Sequence, residues 1–295
     1  MRAVLAGGSG FLGKALTARL TANGWTVTVL TRRPRADVAA EVAWTPDGTV
    51  GPWAAALDGA EAIVNLAGAG IADQRWSPAR KEVLRESRVR ATRSLVLASE
   101  RHAAQAVFIS GSGVGFYGAR GDEPLAEDAP PGADFLSGLV GDWEREAERA
   151  AAFTRTVIVR TGIVLHAAGG ALAQMLPPFK LGIGGPLASG RQYMSWIHLD
   201  DWVRMIDWMA NEPRASGVFN ATAPTPVTNH ELTRTLGRVL RRPAVIPVPT
   251  LALRALYGEL ANSLVTGQRA LPVHAERLGF EFRFRQLEPA LRDLL

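Results

Sequence analysis

The chain predicts an α/β fold, a doubly wound parallel sheet with helices on both faces and a smaller lobe drawn mainly from the C-terminal part. Three observations carry that expectation. Short apolar runs alternate with helical patterns from residue 2 to about residue 165, the rhythm of βαβ units. A glycine-rich turn, GGSGFLG, stands directly after the first run and opens the first helical pattern. Beyond about residue 165 Gly and Pro become dense, as in AAGGALAQMLPPFKLGIGGPLASGRQ, before helical patterns return.

The first run, RAVLAG, is a short strand ended by glycine. FLGKALTARLTANG then sets Leu12, Leu16 and Leu20 on one helical face and stops at Asn23-Gly24. WTVTVL, VAW, AEAIVNLAG, QAVFISGSG and RTVIVRTG read as the second to sixth strands. The helix SPARKEVLRESRVRATRSLVLASERH starts from Ser77 as N-cap with Pro78 at the first helical position, and it is long enough to cross the sheet. WIHLDDWVRMIDWMA reads as a strand end running into a helix, with Asp200 as the expected N-cap, and GVFNAT as one more strand. The tail from NHELTRTLGRVL to Leu295 is mostly helical around the connection RRPAVIPVPT. The expected sheet order is 3-2-1-4-5-6, with a seventh strand at GVFNAT. Residues 1–165, joined by 198–222, are expected to form the nucleotide-binding part, and 166–197 with 223–295 the lobe that caps its crevice.

A chain of 295 residues, 47% hydrophobic, can bury a large core. It has no cysteine, which excludes disulfides, thiolate nucleophiles and cysteine-bound zinc. The opening MRAVLAGGSG has an early Arg, but glycines interrupt any signal-peptide core, so a cytoplasmic location is expected. TGIVLHAAGGALAQMLPPF is long and uncharged, yet its Gly, His and Pro argue against a membrane span. Net charge is +5 and the pI about 10.2. The cations are nearly all Arg, with only Lys14, Lys81 and Lys180 as lysines, and they are scattered rather than striped. No nucleic-acid partner and no membrane partner is therefore expected. The expected partner is a small-molecule substrate, on a monomer or homodimer.

Gly7, Gly10 and Gly13 in GGSGFLG serve three physical needs: a tight turn, close backbone approach to a pyrophosphate, and close helix–strand packing. Gly8, Ser9, Phe11 and Leu12 complete the turn, and the helix that begins there offers free N–H groups to phosphates. The flanking strand, helix and second strand make this a Rossmann dinucleotide site. The second strand ends VLTRRPR, so Thr31, Arg32 and Arg33 stand where an acid would bind the ribose 2′-hydroxyl of NAD(H). A guanidinium fits a 2′-phosphate bidentately, which favours NADP(H) over NAD(H). The competing reading is two solvated arginines at a strand end.

GGSGFLG, VNLAGAG, SGSGVGFYG, RTGIVL and SWIHLDD, in this order, resemble the extended short-chain dehydrogenase/reductases. MLPPFKLGIGGPLASGRQYMSWIHLDD, ATAPTPVTNHELTRTLGRVLRRP and the terminal GQRALPVHAERLGFEFRF are similar to an atypical subgroup, the NAD-dependent epimerase family proteins of the SDR39U1/YfcH type, with its DUF1731-type C-terminal region. The resemblance covers nearly the whole chain. It implies cofactor contacts at Leu66, Ala67 and Gly68, with Ser110 and Arg160 added to that shell. It also implies Trp44 beside the adenine, although a buried aromatic at the core edge fits the same position.

Ordinary extended enzymes carry a Tyr with a Lys four residues later on the helix after the fifth strand, and the phenol exchanges a proton with the substrate. This chain cannot supply that pair. Its tyrosines are Tyr117, Tyr193 and Tyr257, and Gly121, Ile197 and Ala261 stand four residues on. Counting back from DWE puts the expected tyrosine at Phe135 or Leu136 and the lysine at Leu139 or Val140. The remaining catalytic candidates are Ser112, with Ser110 as the other strand-end hydroxyl, and Tyr117. Arg191 and His198 are candidate substrate contacts, although an exposed loop arginine and a histidine packed at a strand end compete with those roles. Arg75 and Trp76 form a possible lid edge. No metal site is expected, since the histidines lie far apart without ligand spacing. These observations predict a nucleoside-diphosphate-sugar-epimerase-like oxidoreductase with an unconventional proton donor. The alternative is a non-catalytic NADP(H)-responsive binding or regulatory protein.

Overall fold

A computed structural model describes residues 1–35 and 40–295. Its centre is a seven-stranded, wholly parallel sheet. In chain order the strands are β1 (Arg2–Ala6), β2 (Thr26–Thr31), β3 (Glu41–Ala43), β4 (Ala62–Asn65), β5 (Val107–Gly113), Thr156–Thr161 and Gly217–Ala221. Across the sheet they run 3-2-1-4-5-6-7. The expected fold class and strand order are thus observed, including the added edge strand.

Strand period decides which residues feed which core. Ala3, Leu5, Val27, Val29, Val64, Ile109, Val157 and Val159 point to one face. There they meet Leu16 and Leu20 of α1 (Phe11–Ala22). Trp202, Met205, Ile206 and Met209 of a later helix, Leu199–Asn211, complete that core. Their neighbours Val4, Ala6, Leu30, Ile63, Phe108 and Ile158 point the other way. They pack on Ala91, Leu95 and Ala98 of α2 (Pro78–His102). The inner strands are therefore apolar on both faces, which is why they read as continuous runs. Burying each such large side chain contributes roughly 1.5–3 kcal/mol. Truncating fully buried Leu16 to Ala would cost about 2–5 kcal/mol.

Helix boundaries follow local chemistry. Ser77 caps α2 by accepting from the Arg80 N–H, with Pro78 next to it. The helix after β5, α3 (Phe135–Glu148), is capped by Asp134. The Leu199–Asn211 helix departs from expectation: His198, not Asp200, is its N-cap, and its Nδ1 accepts from the Asp200 N–H at 3.0 Å. Asp201 is instead fully buried, and accepts from the backbone N–H groups of Arg283 and Phe284, each at 2.8 Å.

A separate core gathers Leu165, Leu172, Leu176, Phe179, Trp196, Leu232, Leu236, Phe284 and Leu291, from segments on both sides of the last sheet strand. The tail divides its allegiance. Ala275, Phe280 and Phe282 join the central-sheet core, whereas Phe284, Leu287 and Leu291 join the smaller one. Among the described residues, no helix is long and apolar enough to cross a membrane.

Candidate functional site

At the carboxyl ends of β1, β2 and β4 lies a cleft of about 970 Å³. The turn between β1 and α1 forms its floor. Gly7 has φ +80°, and a Cβ there would stand 2.6 Å from the Leu66 carbonyl carbon. A Cβ at Gly13 would stand 2.3 Å from the Gly7 oxygen and 2.5 Å from the Gly8 Cα. Only glycine permits this approach of loop to helix and of loop to β4. A Cβ at Gly8 would meet the Val29 side chain at 2.7 Å. Gly10 opens α1 with no side chain capping it and no acid in the first turn. Free N–H groups and the positive helix end therefore face the cleft, as a phosphate-bearing ligand requires.

Gly7, Ser9, Gly10, Thr31, Arg32 and Arg33 line this cleft together with Leu66, Ala67 and Gly68. Arg32 and Arg33 are exposed at its rim. Trp44 also lines it, but the ring is mostly buried edge-on against Trp53, with centroids 5.4 Å apart. Phe11 sits at the opposite end of the turn. Its ring lies 5.8 Å from that of His166, and a Cβ on Gly169 would meet it at 2.4 Å. The glycine-rich segment after residue 165 thus closes on the start of α1. Leu12 packs against the core beneath.

One wall of the cleft went unread in the sequence. Val83, Glu86, Ser87 and Arg90, at helical spacing i, i+3, i+4, i+7, present one stripe of α2 to it. Ser87 Oγ accepts from the Ala69 N–H at 3.0 Å. Arg88 is buried behind, donating to the carbonyls of Leu84 and Ala69 at 3.0 Å each. Burial, with Arg80 nearby, pulls its pKa down to about 10. Arg80 donates to the Gly70 carbonyl at 2.6 Å. Three α2 side chains therefore staple the loop after β4, whose first residues line the cleft. The face spacing in ESRVR is the signal the sequence offers for this wall.

Ser112, Tyr117 and Arg160 are brought together in a buried network, and none of them lines the cleft. Ser112 Oγ donates to Glu144 Oε1 at 2.5 Å. Arg160 donates to both Glu144 oxygens, each at 2.8 Å, and to the Tyr117 hydroxyl at 3.0 Å. Tyr117 is fully buried and donates to Asn220 Oδ1 at 2.7 Å. Burial pushes its phenol above the usual value, against the opposing pull of Arg160. Arg160 stacks 3.4 Å over the Phe116 ring. Burial acts against its charge, yet the Glu144 hydrogen bonds win and hold its pKa above the usual value. Ser110 is fully buried and donates to the Gly111 carbonyl at 3.1 Å.

The positions counted for the lysine fall among apolar groups, whereas Lys81 Nζ stands 5.1 Å over the ring of Phe135, a position counted for the tyrosine. Leu139 and Val140 are buried with Leu84, against Ala69, Trp76, Phe116 and Phe135. Leu136 lies over Gly115. His198, besides capping its helix, stacks on Phe284 at 4.0 Å, with Nε2 3.4 Å from Asp293 but not aligned for a hydrogen bond. It faces the C-terminal segment. Arg191 is exposed in its loop, its N–H donating to Ser189 Oγ. Arg75 donates to the Arg254 carbonyl at 3.5 Å, and Trp76 Nε1 to the Ile71 carbonyl at 2.9 Å.

Residues 3–222 match the model of the NAD dependent epimerase/dehydratase family. The chain belongs to that family. A second match, to a domain of unknown function (DUF1731), covers residues 248–294. Among family relatives, epimerase family protein Mb2239 of Mycobacterium bovis is 44% identical over 97% of this chain and 95% of its own. The chloroplastic SDR39U1 homolog of Arabidopsis thaliana is 39% identical over all of this chain and 87% of its own. The crystal structure of human epimerase family protein SDR39U1 with NADPH superposes with a TM-score of 0.93 at 34% identity, covering 100% of this chain and 99% of that one. The family and the NAD(P)-type Rossmann fold are therefore shown for this chain.

Proposed function

We propose that this chain binds NADP(H) in preference to NAD(H) and serves as a nucleoside-diphosphate-sugar-epimerase-like oxidoreductase that works without a Tyr-x-x-x-Lys pair. The observation that carries the coenzyme choice is Arg32 and Arg33 on the rim of a glycine-floored cleft, on the strand end nearest the adenosine side. The NADPH in the human SDR39U1 structure supports the same choice. Bound coenzyme would supply hydride chemistry at its nicotinamide. The residues of this chain would hold the diphosphate on the N–H groups opening α1 and fix the loop after β4 through Ser87, Arg88 and Arg80. A double Arg32→Ala, Arg33→Ala variant should lose NADPH affinity about tenfold or more while NADH affinity changes less than about twofold, as loss of charge-assisted phosphate contacts requires. Equal losses in calorimetry would refute the assignment.

The engagement of Ser112 with Glu144, and of Tyr117 with Asn220 and Arg160, favours a second reading, an NADP(H)-responsive binding protein without turnover. Incubating the NADPH-loaded protein with sugar nucleotides, aldehydes and ketones separates the two. Coenzyme oxidation with any of them supports the oxidoreductase, and tight binding with none supports the second reading.

A further inference from the structure

The cleft is built for a polyanion, yet among the described residues its wall carries one carboxylate. Its lining includes the cations Arg32, Arg33 and Arg90, and Glu86 is the single acid among the described lining residues. Glu86 is not left over from some other task. It stands on α2 with 31% of its side chain exposed, ion-paired i, i+4 with Arg90, and both side chains face the cleft. A carboxylate beside a phosphate would be repelled by about as much as a guanidinium is attracted, so Glu86 marks a part of the cleft that receives no phosphate. What a carboxylate accepts is an N–H or O–H, and what the adjacent guanidinium donates to is a lone pair. Side by side they present acceptor then donor.

The surroundings choose the group that meets them. Val83 on α2, one turn from Glu86, and Trp44 and Pro46 beyond β3 give the same cleft apolar walls, with Leu66 and Ala67 at the end of β4. Val83 is 48% exposed, an open apolar face on a helix that otherwise shows charge. A flat ring with a polar edge fits such walls. Asp47, next to Pro46 in the chain, is already engaged by the backbone N–H and hydroxyl of Thr49, at 2.9 and 2.6 Å. We infer that Glu86 and Arg90 read the edge of the adenine base, Glu86 accepting from the exocyclic N6 amino group and Arg90 donating to a neighbouring ring nitrogen. This rests on the coenzyme reading above and adds to it a specificity for the base, supplied by α2 and separate from the 2′-phosphate contact at Arg32 and Arg33. An amino donor against a carboxylate and a ring nitrogen against an arginine use the same complementarity by which side chains read base edges in nucleic acids.

Calorimetry on the full chain with NADPH and with its hypoxanthine counterpart, deamino-NADPH, tests it without any variant. Hypoxanthine replaces the N6 donor by a carbonyl oxygen, which would face the Glu86 carboxylate. Wild type should bind deamino-NADPH about tenfold more weakly than NADPH, the fold-change of one lost charge-assisted hydrogen bond. In Glu86→Ala that discrimination should fall below about twofold, within the range of a contact that has ceased to distinguish the bases. Wild type that binds both tightly and equally overturns the base assignment while leaving the coenzyme reading intact. A Glu86→Ala variant that loses NADH affinity more than NADPH affinity also overturns it, because Glu86 would then be serving a ribose 2′-hydroxyl. Wild type that binds neither NADPH nor NADH removes the coenzyme reading itself, and this inference with it.

Discussion

Replacing Arg160 by Met asks whether the buried network is scaffold or catalytic apparatus. The substitution keeps the apolar stem over Phe116 and removes the charge. Glu144, with 4% of its side chain exposed, would lose two hydrogen bonds of 2.8 Å and keep Ser112 as a donor. The Glu127 carbonyl, at 3.0 Å from Arg160 Nη1, would lose one as well. An uncompensated buried charge of this kind costs about 3–5 kcal/mol. At about 2 °C per kcal/mol, the low end for a chain larger than 250 residues, melting should fall by about 6–10 °C. Combining Arg160→Met with Glu144→Leu removes both charges, and most of the lost stability should return, since a matched apolar replacement of a buried ion pair is close to neutral.

Urea unfolding measures the stability, and calorimetry the coenzyme affinity. Because Arg160 does not line the cleft, NADPH affinity of the folded single variant should stay within about threefold of wild type, a small fraction of the stability loss. A stability loss under about 1 kcal/mol, or a double variant as unstable as the single one, would refute the argument. A tenfold loss of NADPH affinity without loss of stability would restore Arg160 to the coenzyme shell, where the family resemblance puts it.

Gly13→Ala should cut NADPH affinity about tenfold or more, since its Cβ meets main-chain atoms at 2.3 and 2.5 Å and overpacking costs about 1–3 kcal/mol. Gly24→Ala is the control: φ is +83° but nothing lies within 4 Å, so stability falls by about 1–2 kcal/mol and calorimetric affinity holds. Burial holds the His198 pKa below its ordinary 6.5 despite Asp293, so the unfolded chain takes up the proton first as pH falls. Stability from His198 is therefore present above about pH 6.5 and declines below it, by at most about 1.4 kcal/mol per pH unit. His198→Gln should flatten the urea midpoint between pH 6.5 and 5.5; an unchanged slope would exclude this group. Asp201→Asn should cost about 1–3 kcal/mol in urea unfolding, because an amide cannot accept at both oxygens from Arg283, Phe284 and Arg204.

Sequence carried the sheet because its signals are local. A strand buried on both faces is an unbroken apolar run, and a glycine that must let two backbones touch cannot be replaced, so β1 and GGSGFLG could be read directly. The buried network could not be read that way. Tyr117 meets Asn220 across 103 residues and Ser112 meets Glu144 across 32, and nothing in SGSGVGFYG tells a strand-end hydroxyl that is free from one that is engaged. The His198 cap was missed for a chemical reason: only a neutral imidazole with a lone pair on Nδ1 can cap, and the adjacent aspartates were the more obvious acceptors. The α2 wall was missed because ESRVR looks like any solvated helix face until Leu66 and Ala67 are known to lie across from it.

Carbonyl reduction needs two things at one oxygen: a hydride at its carbon and a proton donor within reach. The first half of that requirement has a glycine-floored cleft with arginines at its rim and a staple of three α2 side chains behind the loop after β4. The second half has Leu139 and Val140, the positions counted for the lysine, in apolar contact with Leu84. A lysine at Val140 would enter an apolar cluster that disfavours its charge. Tyr117 cannot move in as the proton donor cheaply, since freeing its hydroxyl would leave Asn220 Oδ1 without its donor inside the core, at a cost of about 1–3 kcal/mol. A proton drawn from Ser112 or Tyr117 would therefore have to be released against their hydrogen bonds to Glu144 and Asn220.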